Sequence, residues 1–441
     1  MKKILLLSAG LLAFYFSGAA QLNYSLPDTT DYPYWVEMMQ DPDANFFKTQ
    51  RAFKLYWQHR PITRGCGWKI FKRWEYMMQS RIAPDGTKPA PDAIFNAYED
   101  YRKHVRSSGG NWINLGPSVI PAPGPAGYEG LGRLNAVAWH PTDPNKFYVG
   151  SPSGGMWQTN DGGLTWATHT DTLPTLGVSA ILIDYSNPTR ILIGTGDRDA
   201  GDAPGLGVFV SLNGGLTWAP LKTGMGDRTV GKMIQHPGNP SIILAATSGG
   251  VHRSIDGGAN WTKINSGNFK DILFKPNDPN IVYAAAGASF YRSADNGQTF
   301  VQITSGLSGG QRSTIAITAA NPNYVYILTS NNSSGFKGVY RSTDAGLNFS
   351  ARSTSPNILD WSCDGSGSGG QGWYDLAIVA DPNNPEIIYV GGVNVWKSTN
   401  GGQTWNINSH WYGGCGVPAV HADCHFLGYS PVNGKLYAGN D

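Results

Sequence analysis

The sequence predicts a mainly β protein, a seven-bladed β-propeller with an incomplete last blade and a small α-helical extension at its N-terminus. One observation is a short motif, Ser/Thr-x-Asp/Asn-x-Gly-x-Thr/Asn-Trp/Phe, which recurs six times along the C-terminal three-quarters of the chain. The other is composition: the 441 residues include 57 Gly, 15 Trp and 21 Tyr, and only 15% are charged. That profile favours many short strands joined by tight turns, with aromatic rings packed between sheets.

The first twenty residues predict a signal peptide. Lys2 and Lys3 precede an apolar stretch at residues 4–16, and small residues at 18–20 resemble a cleavage site. Since the apolar stretch is too short to span a bilayer comfortably, it indicates export, with an uncleaved anchor as the alternative. We expect a secreted or cell-surface protein whose mature chain begins near Gln21.

Net charge and cysteine content limit the classes of function and the compartment that the sequence allows. The formal net charge is +2, which gives no basic field that would attract nucleic acid, and no later segment is long enough to cross a membrane.

Of the four cysteines, Cys363, Cys415 and Cys424 fall in one region of the sequence, so a disulfide among them is expected. That bridge leaves one of these three, or Cys66, free. No structural zinc spacing is present.

Residues 21–108 predict the helical extension. Apolar and aromatic residues recur at helical spacing in three stretches, residues 45–60, 67–81 and 91–106. Turn residues lie between these stretches, and Gly109-Gly110 follows the last. We interpret the region as a helical cap that packs on the propeller, which occupies residues 109–441.

The six motif copies mark the propeller. They recur every 39 to 56 residues, a spacing that suits one four-stranded blade per repeat. In each copy the acidic or amide side chain can accept backbone N–H groups of its own turn, and the glycine supplies positive φ. We therefore interpret the six acidic or amide residues as structural rather than catalytic: Asp161, Asn213, Asp256, Asp295, Asp344 and Asn400.

The end of the repeat predicts an interrupted blade. Residues 421–429 and 435–438 supply two strands of a seventh blade, after which the chain stops at Asp441. Residues 111–115 resemble a fourth strand that could close the ring. We interpret the chain as a fragment of a longer protein; a short last blade is the alternative.

These motifs resemble the Asp-box (BNR-repeat) propeller superfamily, which includes sialidases, xyloglucanases and sortilin-like receptors. The stretch 132–163, with SGGMWQTNDGG inside it, and the helical segment GWKIFKRWEYMM are most similar to large secreted BNR-repeat proteins of Bacteroidetes. In that group the propeller often precedes adhesion modules and a sorting domain for type IX secretion. The resemblance implies an exported propeller that binds an extracellular ligand.

The enzymatic signatures of the superfamily are missing. Sialidases carry an Arg-Ile-Pro motif before the first box, which this sequence lacks. Xyloglucanase-like hydrolases carry an aspartate in a Thr-Asp-x-Gly-Gly turn of the first blade, where this chain has Ser153. Because a glycosidase normally needs two carboxyl groups at a defined separation, the departure argues against hydrolysis.

Three insertions supply candidate functional residues. The first, residues 194–207, holds Asp197, Arg198, Asp199 and Asp202. The three aspartates could ligate Ca²⁺, the one ion that the sequence suggests, or act as an acid/base pair. A solvated turn with a local Arg–Asp pair is the alternative.

The second insertion, residues 353–374, contains Trp361, Trp373 and Tyr374. Exposed aromatics on a long loop suit sugar rings or peptide side chains, and the alternative is that the tryptophans pack beneath the loop.

The third insertion, residues 409–425, contains Trp411 and ends in His421, Asp423 and His425. Because these last three alternate on a predicted strand, they face one way and could bind a metal, or a histidine could act as a general base beside Asp423. The alternative is a hydrogen-bonded network along the channel. Cys424 would face away.

The leading functional hypothesis is a non-catalytic propeller that binds extracellular protein or polysaccharide and is attached to the cell surface or released. Its predicted ligand-binding residues are Arg198, Trp361, Trp373, Tyr374, Trp411 and His421. The alternative is a glycoside hydrolase whose carboxylates come from Asp197, Asp199, Asp375 and Asp423. A structural stalk within an adhesin is the third hypothesis.

Overall fold

The computed structural model describes residues 34–63, 66–104 and 132–441. The predicted signal peptide and the predicted strand at 111–115 lie outside the described residues. Four helices come first, α1 (Trp35–Gln40), α2 (Phe46–Trp57), α3 (Trp68–Gln79) and α4 (Ala93–His104). None of the described helices is long and apolar enough to cross a membrane.

The helical cap comprises α1 to α4, and α1 to α3 share an aromatic core. Asn45 caps α2 by accepting the backbone N–H groups of Phe47 and Lys48. The rings of Phe53 and Phe71 stack with centroids 3.7 Å apart, and Trp35 meets both rings edge-on. The three predicted helices are present as α2 to α4, whereas α1 was not predicted from the sequence.

Twenty-six strands form seven antiparallel sheets in residues 132–441, and the first six sheets are four-stranded meanders in chain order. Blade 1 consists of β1 (Ala136–Trp139), β2 (Phe147–Ser151), β3 (Gly155–Thr159) and β4 (Ala167–Thr168). Blade 2 consists of β5 (Val178–Ile183), β6 (Ile191–Thr195), β7 (Val208–Ser211) and β8 (Ala219–Pro220). Blade 3 consists of β9 (Val230–Gln235), β10 (Ile243–Thr247), β11 (Gly250–Ser254) and β12 (Thr262–Asn265).

Blade 4 consists of β13 (Phe269–Phe274), β14 (Val282–Ala286), β15 (Ser289–Ser293) and β16 (Val301–Ile303). Blade 5 consists of β17 (Ser313–Ile317), β18 (Val325–Ser330), β19 (Phe336–Ser342) and β20 (Ser350–Ser353). Blade 6 consists of β21 (Ala377–Ala380), β22 (Ile388–Gly391), β23 (Val395–Ser398) and β24 (Asn406–Ser409). The last sheet pairs β25 (Phe426–Tyr429) with β26 (Leu436–Gly439).

The first strand of every sheet lies innermost, and these strands contact one another in a closed ring from β1 through β25 back to β1. The fold is therefore a β-propeller, as predicted. The predicted number of blades is wrong: six blades are complete, and the two-stranded sheet fills the gap between blades 6 and 1.

Apolar residues of neighbouring blades fill the space between the sheets. Between blades 2 and 3, Leu192 and Val208 pack against Met233 and the motif tryptophan Trp261. Leu192 is fully buried, and burial of such a side chain contributes about 2 kcal/mol. The core is thus a ring of inter-blade layers around the channel.

The motif turns join the third and fourth strands at one face of the ring. In the turn at Ser254, the hydroxyl donates to Asp256 Oδ1 over 2.7 Å, and the N–H groups of Gly258 and Asn260 bond Ser254 Oγ and Asp256 Oδ1. Hydrogen bonds from Asn260 lower the pKa of Asp256 to about 2. We call this side of the ring the motif face. Because strand direction alternates, the connections between second and third strands and those between blades lie on the opposite side, the loop face.

Candidate functional site

The three long insertions and the helical cap all lie on the loop face. Gln40, at the end of α1, donates from Nε2 to the carbonyl of Asp199 over 3.0 Å. Asp43, in the turn between α1 and α2, accepts from Arg228 over 2.8 Å, and Tyr56 of α2 donates to the carbonyl of Asn332 over 3.3 Å. The cap therefore covers the loop-face end of the central channel.

Asp199 is the centre of a buried polar cluster under the cap. Its carboxylate accepts from Arg312 over 2.6 Å, from His425 Nδ1 over 3.0 Å and from Arg198 Nε over 3.4 Å. Although burial opposes ionisation, Arg312 and Arg198 hold the pKa of Asp199 well below its usual range. Asp199 is therefore an ionised structural group and not a general acid.

Asp197 holds the first insertion in shape. Its carboxylate pairs with Arg133, accepts from Asn135 Nδ2 over 3.1 Å and accepts the backbone N–H groups of Asp199, Ala200 and Asp202 over 3.0 to 3.2 Å. These donors saturate both oxygens, and the residue is fully buried.

The structure does not bring the three aspartates of the first insertion together as predicted. Asp197 and Asp199 turn towards different arginines, while the Asp202 side chain is 63% exposed. Within the described residues they do not form a group of converging metal ligands. This geometry does not support the Ca²⁺ and acid/base hypotheses, which stay predictions, and the Arg–Asp pairs of this loop are buried rather than solvated.

Arg198 and Trp373 also lie elsewhere than predicted. Arg198 donates to the carbonyl of Gly231 in the innermost strand of blade 3 and to the carbonyl of His425, just before β25. Trp373 is 7% exposed, and its carbonyl, with that of Tyr374, accepts from Arg312. Both side chains close the channel and are inaccessible to a surface ligand.

The predicted strand at 421–429 begins only at Phe426, so the alternation argument for His421, Asp423 and His425 is wrong. Asp423 has φ of 62°, which breaks the extended conformation before the strand. His425 bonds Asp199 through Nδ1 and Asp441 through Nε2, each over 3.0 Å. Burial lowers the pKa of His425, but the bonds to these two carboxylates outweigh it and raise the value. His425 thus belongs to a buried hydrogen-bonded network at the channel, whereas Asp423 and His421 bond other groups.

One group of three possible metal ligands does approach within 4.8 Å in the described part of the chain, Cys363, His410 and Cys415. The two cysteines form a disulfide with Cα atoms 5.8 Å apart, so no thiolate is available there. Cys424 is buried beside Gly391, and Cys66 is free in the cap.

Asp375 and Asp423 form a second acidic centre. Asp375 is 1% exposed, and neither carboxyl oxygen has a hydrogen-bond donor among the described residues. Burial and the neighbouring Asp423 raise the pKa of Asp375 well above its usual range. Burial, followed by Asp441, also raises the pKa of Asp423, whose Oδ1 accepts from Gln371 over 2.8 Å. The pair can hold a proton, but Asp375 has no surface for a substrate.

A partly exposed aromatic group lies outside the buried cluster. The disulfide joins the second and third insertions, and the buried Asn394 side chain joins them again by donating to the carbonyl of Asp360 and accepting the N–H of Trp411. Trp411 meets Tyr412 edge-on at 4.6 Å, and Tyr412 is 48% exposed. We call Trp361, Trp411 and Tyr412 the aromatic crown.

The crown contains one residue that the sequence analysis missed, Tyr412. Its neighbours in the chain, Trp411 and the glycines at 413 and 414, are typical of an exposed loop tip, and that signal could have identified it. Trp361 and Trp411 are half-buried and lie in the crown, whereas His421 bonds the carbonyl of its neighbour Ala422. Tyr374 packs edge-on against His425, inside the channel cluster.

No family model matches the chain, and no curated protein is a significant match. Solved structures do match. An ancestral GH74 enzyme is 19% identical over 73% of this chain and 44% of its own, with a TM-score of 0.53. The GH74 xyloglucanase of Xanthomonas campestris is 18% identical over 72% and 51%, with a TM-score of 0.51.

The extracellular domain of a proposed hybrid two-component system from B. thetaiotaomicron is 11% identical over 73% of this chain and 38% of its own, with a TM-score of 0.50. The chain thus spans about half or less of each of these three structures. Similarity at this level of identity establishes the fold alone, and on that basis the chain is a β-propeller.

Proposed function

We propose that this protein is a secreted or cell-surface propeller that binds an extracellular glycan or protein at the aromatic crown without catalysis. The observation that carries the proposal is the crown itself: aromatic side chains on two long loops that are fixed to each other by the Cys363–Cys415 disulfide and by Asn394. Loops fixed before binding lose little conformational entropy when a ligand arrives.

The aromatic composition of the crown favours a glycan. Trp and Tyr combine a large apolar face with a polar edge, which suits the apolar faces and hydroxyl groups of sugar rings. Tyr412 and residues 413–416, which follow it in the chain, are exposed or half-buried. A peptide with an aromatic or proline side chain is the protein ligand that the same surface would take.

The carboxylates support binding rather than hydrolysis. Asp197 and Asp199 are fully buried and committed to arginines, and Asp375 is enclosed. A glycosidase needs two carboxyl groups that both reach the glycosidic bond. Asp423 alone is partly accessible among the four candidates.

A glycan array, followed by calorimetric titration of each hit, tests the proposal. We expect Trp411→Ala and Tyr412→Ala to weaken binding at least tenfold, because stacking surface is lost. Tyr185→Ala is the matched control, since Tyr185 is 40% exposed and lies on the motif face. If the array yields no hit, the same variants are tested against secreted and surface proteins; crown variants with unchanged affinity for every ligand found would refute the proposal.

Hydrolysis is the second candidate function, and the Asp375–Asp423 pair is the observation that favours it. One protonated and one ionised carboxyl group is the composition of a glycosidase site. Release of reducing sugar from polysaccharide, abolished by Asp375→Asn and Asp423→Asn, would establish it.

A further inference from the structure

The central channel contains a cavity of about 280 Å³ beneath the cap. A second cavity of about 20 Å³ lies between the channel and α1, where Val36 and Glu37 line it. Lys270, Arg312 and Ser313 line both cavities, so they form the boundary between them. The larger cavity is close to the ~300 Å³ at which small-ligand pockets begin.

The cavity wall carries more positive than negative charge. Four cationic side chains line it, and the single carboxylate in its lining is Asp271. Asp271 is already satisfied, since it accepts from Lys232 over 2.7 Å and from Thr314 Oγ1 and the N–H of Ile315 over 2.9 Å each. The four cations are Arg198, Lys232, Lys270 and Arg312.

Two donors in this wall lack acceptors. The Arg312 side chain is 8% exposed, and its Nε has no hydrogen-bond partner among the described residues, although its terminal nitrogens bond Asp199 and two carbonyls. The Lys270 ammonium donates no hydrogen bond to a described residue and is repelled by Arg312. A buried donor such as the Nε of Arg312 normally has a partner, whereas Lys270 is half-buried.

Apolar side chains line the same cavity further along the inner strands, towards the motif face. They are Trp139, Ile181, Met233, Ile315, Ile378 and Leu427. The cavity therefore has a cationic end beneath the cap and an apolar end towards the motif face.

We propose that Lys270 and the Nε of Arg312 bind the carboxylate of a small aliphatic acid, whose hydrocarbon part lies along the apolar end of the channel. A monovalent carboxylate matches the two donors, whereas a dianionic phosphate needs more donors than the wall offers. A metal ion is disfavoured because the four surrounding cations repel it. The site is distinct from the aromatic crown, so either proposal can fail without the other.

The test uses butyrate as the probe and butyramide, its neutral isostere, as the matched ligand. Calorimetry at pH 6.5 on the full protein should give saturable butyrate binding, with butyramide and inorganic phosphate at least tenfold weaker. Lys270→Met should weaken butyrate binding at least tenfold, while Lys435→Met, an exposed lysine on the motif face, should leave it unchanged. Equal affinity for butyrate and butyramide, tighter binding of phosphate, or full affinity in the Lys270 variant would overturn the proposal.

A second measurement needs no variant. Burial lowers the pKa of Lys270 to about 7, with Arg312 acting in the same direction and Asp199, Glu37 and Asp197 opposing it. A bound carboxylate favours the charged ammonium, so binding at pH 8 should take up close to one proton. Titrations in two buffers of different ionisation enthalpy measure that uptake, and zero uptake at pH 8 with unchanged affinity from pH 6.5 to 8 would contradict a role for Lys270.

Discussion

Asp199 shows at the scale of one residue how the loop face is held together. Its carboxylate joins the first insertion to Arg312, 113 residues away, and to His425, 226 residues away. These partners come from blades on different sides of the ring, and no local pattern in the sequence pairs them. The sequence therefore predicted which loop was unusual and could not predict that Asp199 was buried and ionised.

Asp199→Ala should lower the free energy of unfolding by about 3–5 kcal/mol, because it leaves Arg198 and Arg312 charged, buried and without their anion. Urea denaturation measures the change. Asp171→Ala, at an exposed turn position, is the control and should change it by less than about 0.5 kcal/mol. A loss below about 1 kcal/mol for Asp199→Ala would show that the cluster is not structural.

Asp375→Asn should raise the melting temperature at pH 7 and leave it nearly unchanged at pH 4. Folding raises the pKa of Asp375, so its contribution to stability is full below its ordinary pKa near 4 and is lost as the pH rises through the raised value. An amide stays neutral and avoids that loss. Thermal scans from pH 4 to 8 measure the difference, with Asp171→Asn as control; a variant that is less stable than the wild type at pH 7 would contradict the account.

At the scale of elements, the repeated motif could be read from the sequence because its chemistry is local. Each turn is stabilised within about eight residues, so spacing and composition locate it. The ends of strands were harder to predict from the sequence. The strand expected from residue 421 begins only at Phe426, because Asp423 adopts a left-handed conformation. In that conformation Asp423 accepts a hydrogen bond from Gln371, which is distant in the sequence.

The fifth motif turn provides a test of backbone strain. Ala345 has φ of 58° at the position where the second turn has Gly214, with φ of 74°. Left-handed backbone costs a residue with a Cβ atom about 1 kcal/mol relative to glycine. Ala345→Gly should therefore stabilise the protein by about 1 kcal/mol.

Gly214→Ala is the reciprocal variant, since an added Cβ there meets nothing within 4 Å and only the strain changes. It should destabilise the protein by a similar amount in the same denaturation experiment. Equal stabilities of both variants and the wild type would show that the turns are not under strain.

The disulfide between the two insertions should matter for ligand binding more than for the fold. Cys363→Ser/Cys415→Ser releases a loop of 52 residues and frees the crown aromatics to move. We expect roughly tenfold weaker binding of the crown ligand by calorimetry, with the β-sheet circular dichroism retained. Cys66→Ser, at the free cysteine of the cap, should leave binding unchanged.

At the scale of the whole molecule, the cap and the propeller form one arrangement in which α1 covers the cationic end of the channel. The sequence predicted a helical extension on a propeller, because amphipathic spacing and repeat length can both be recognised from the order of residues alone. The face on which the cap lies could not be predicted, since it depends on single contacts such as Gln40 with Asp199. The count of seven blades was wrong, because six sheets are complete and the last sheet contains only two strands, which the sequence did predict.

The most direct test of the central claim measures binding and turnover on one sample. A polysaccharide selected on the array is titrated into the protein, and aliquots are then assayed for reducing ends over many hours. Binding that is lost in Tyr412→Ala, with no release of reducing sugar above the buffer, is the predicted result. Release of reducing sugar that persists in Tyr412→Ala and disappears in Asp375→Asn would contradict it.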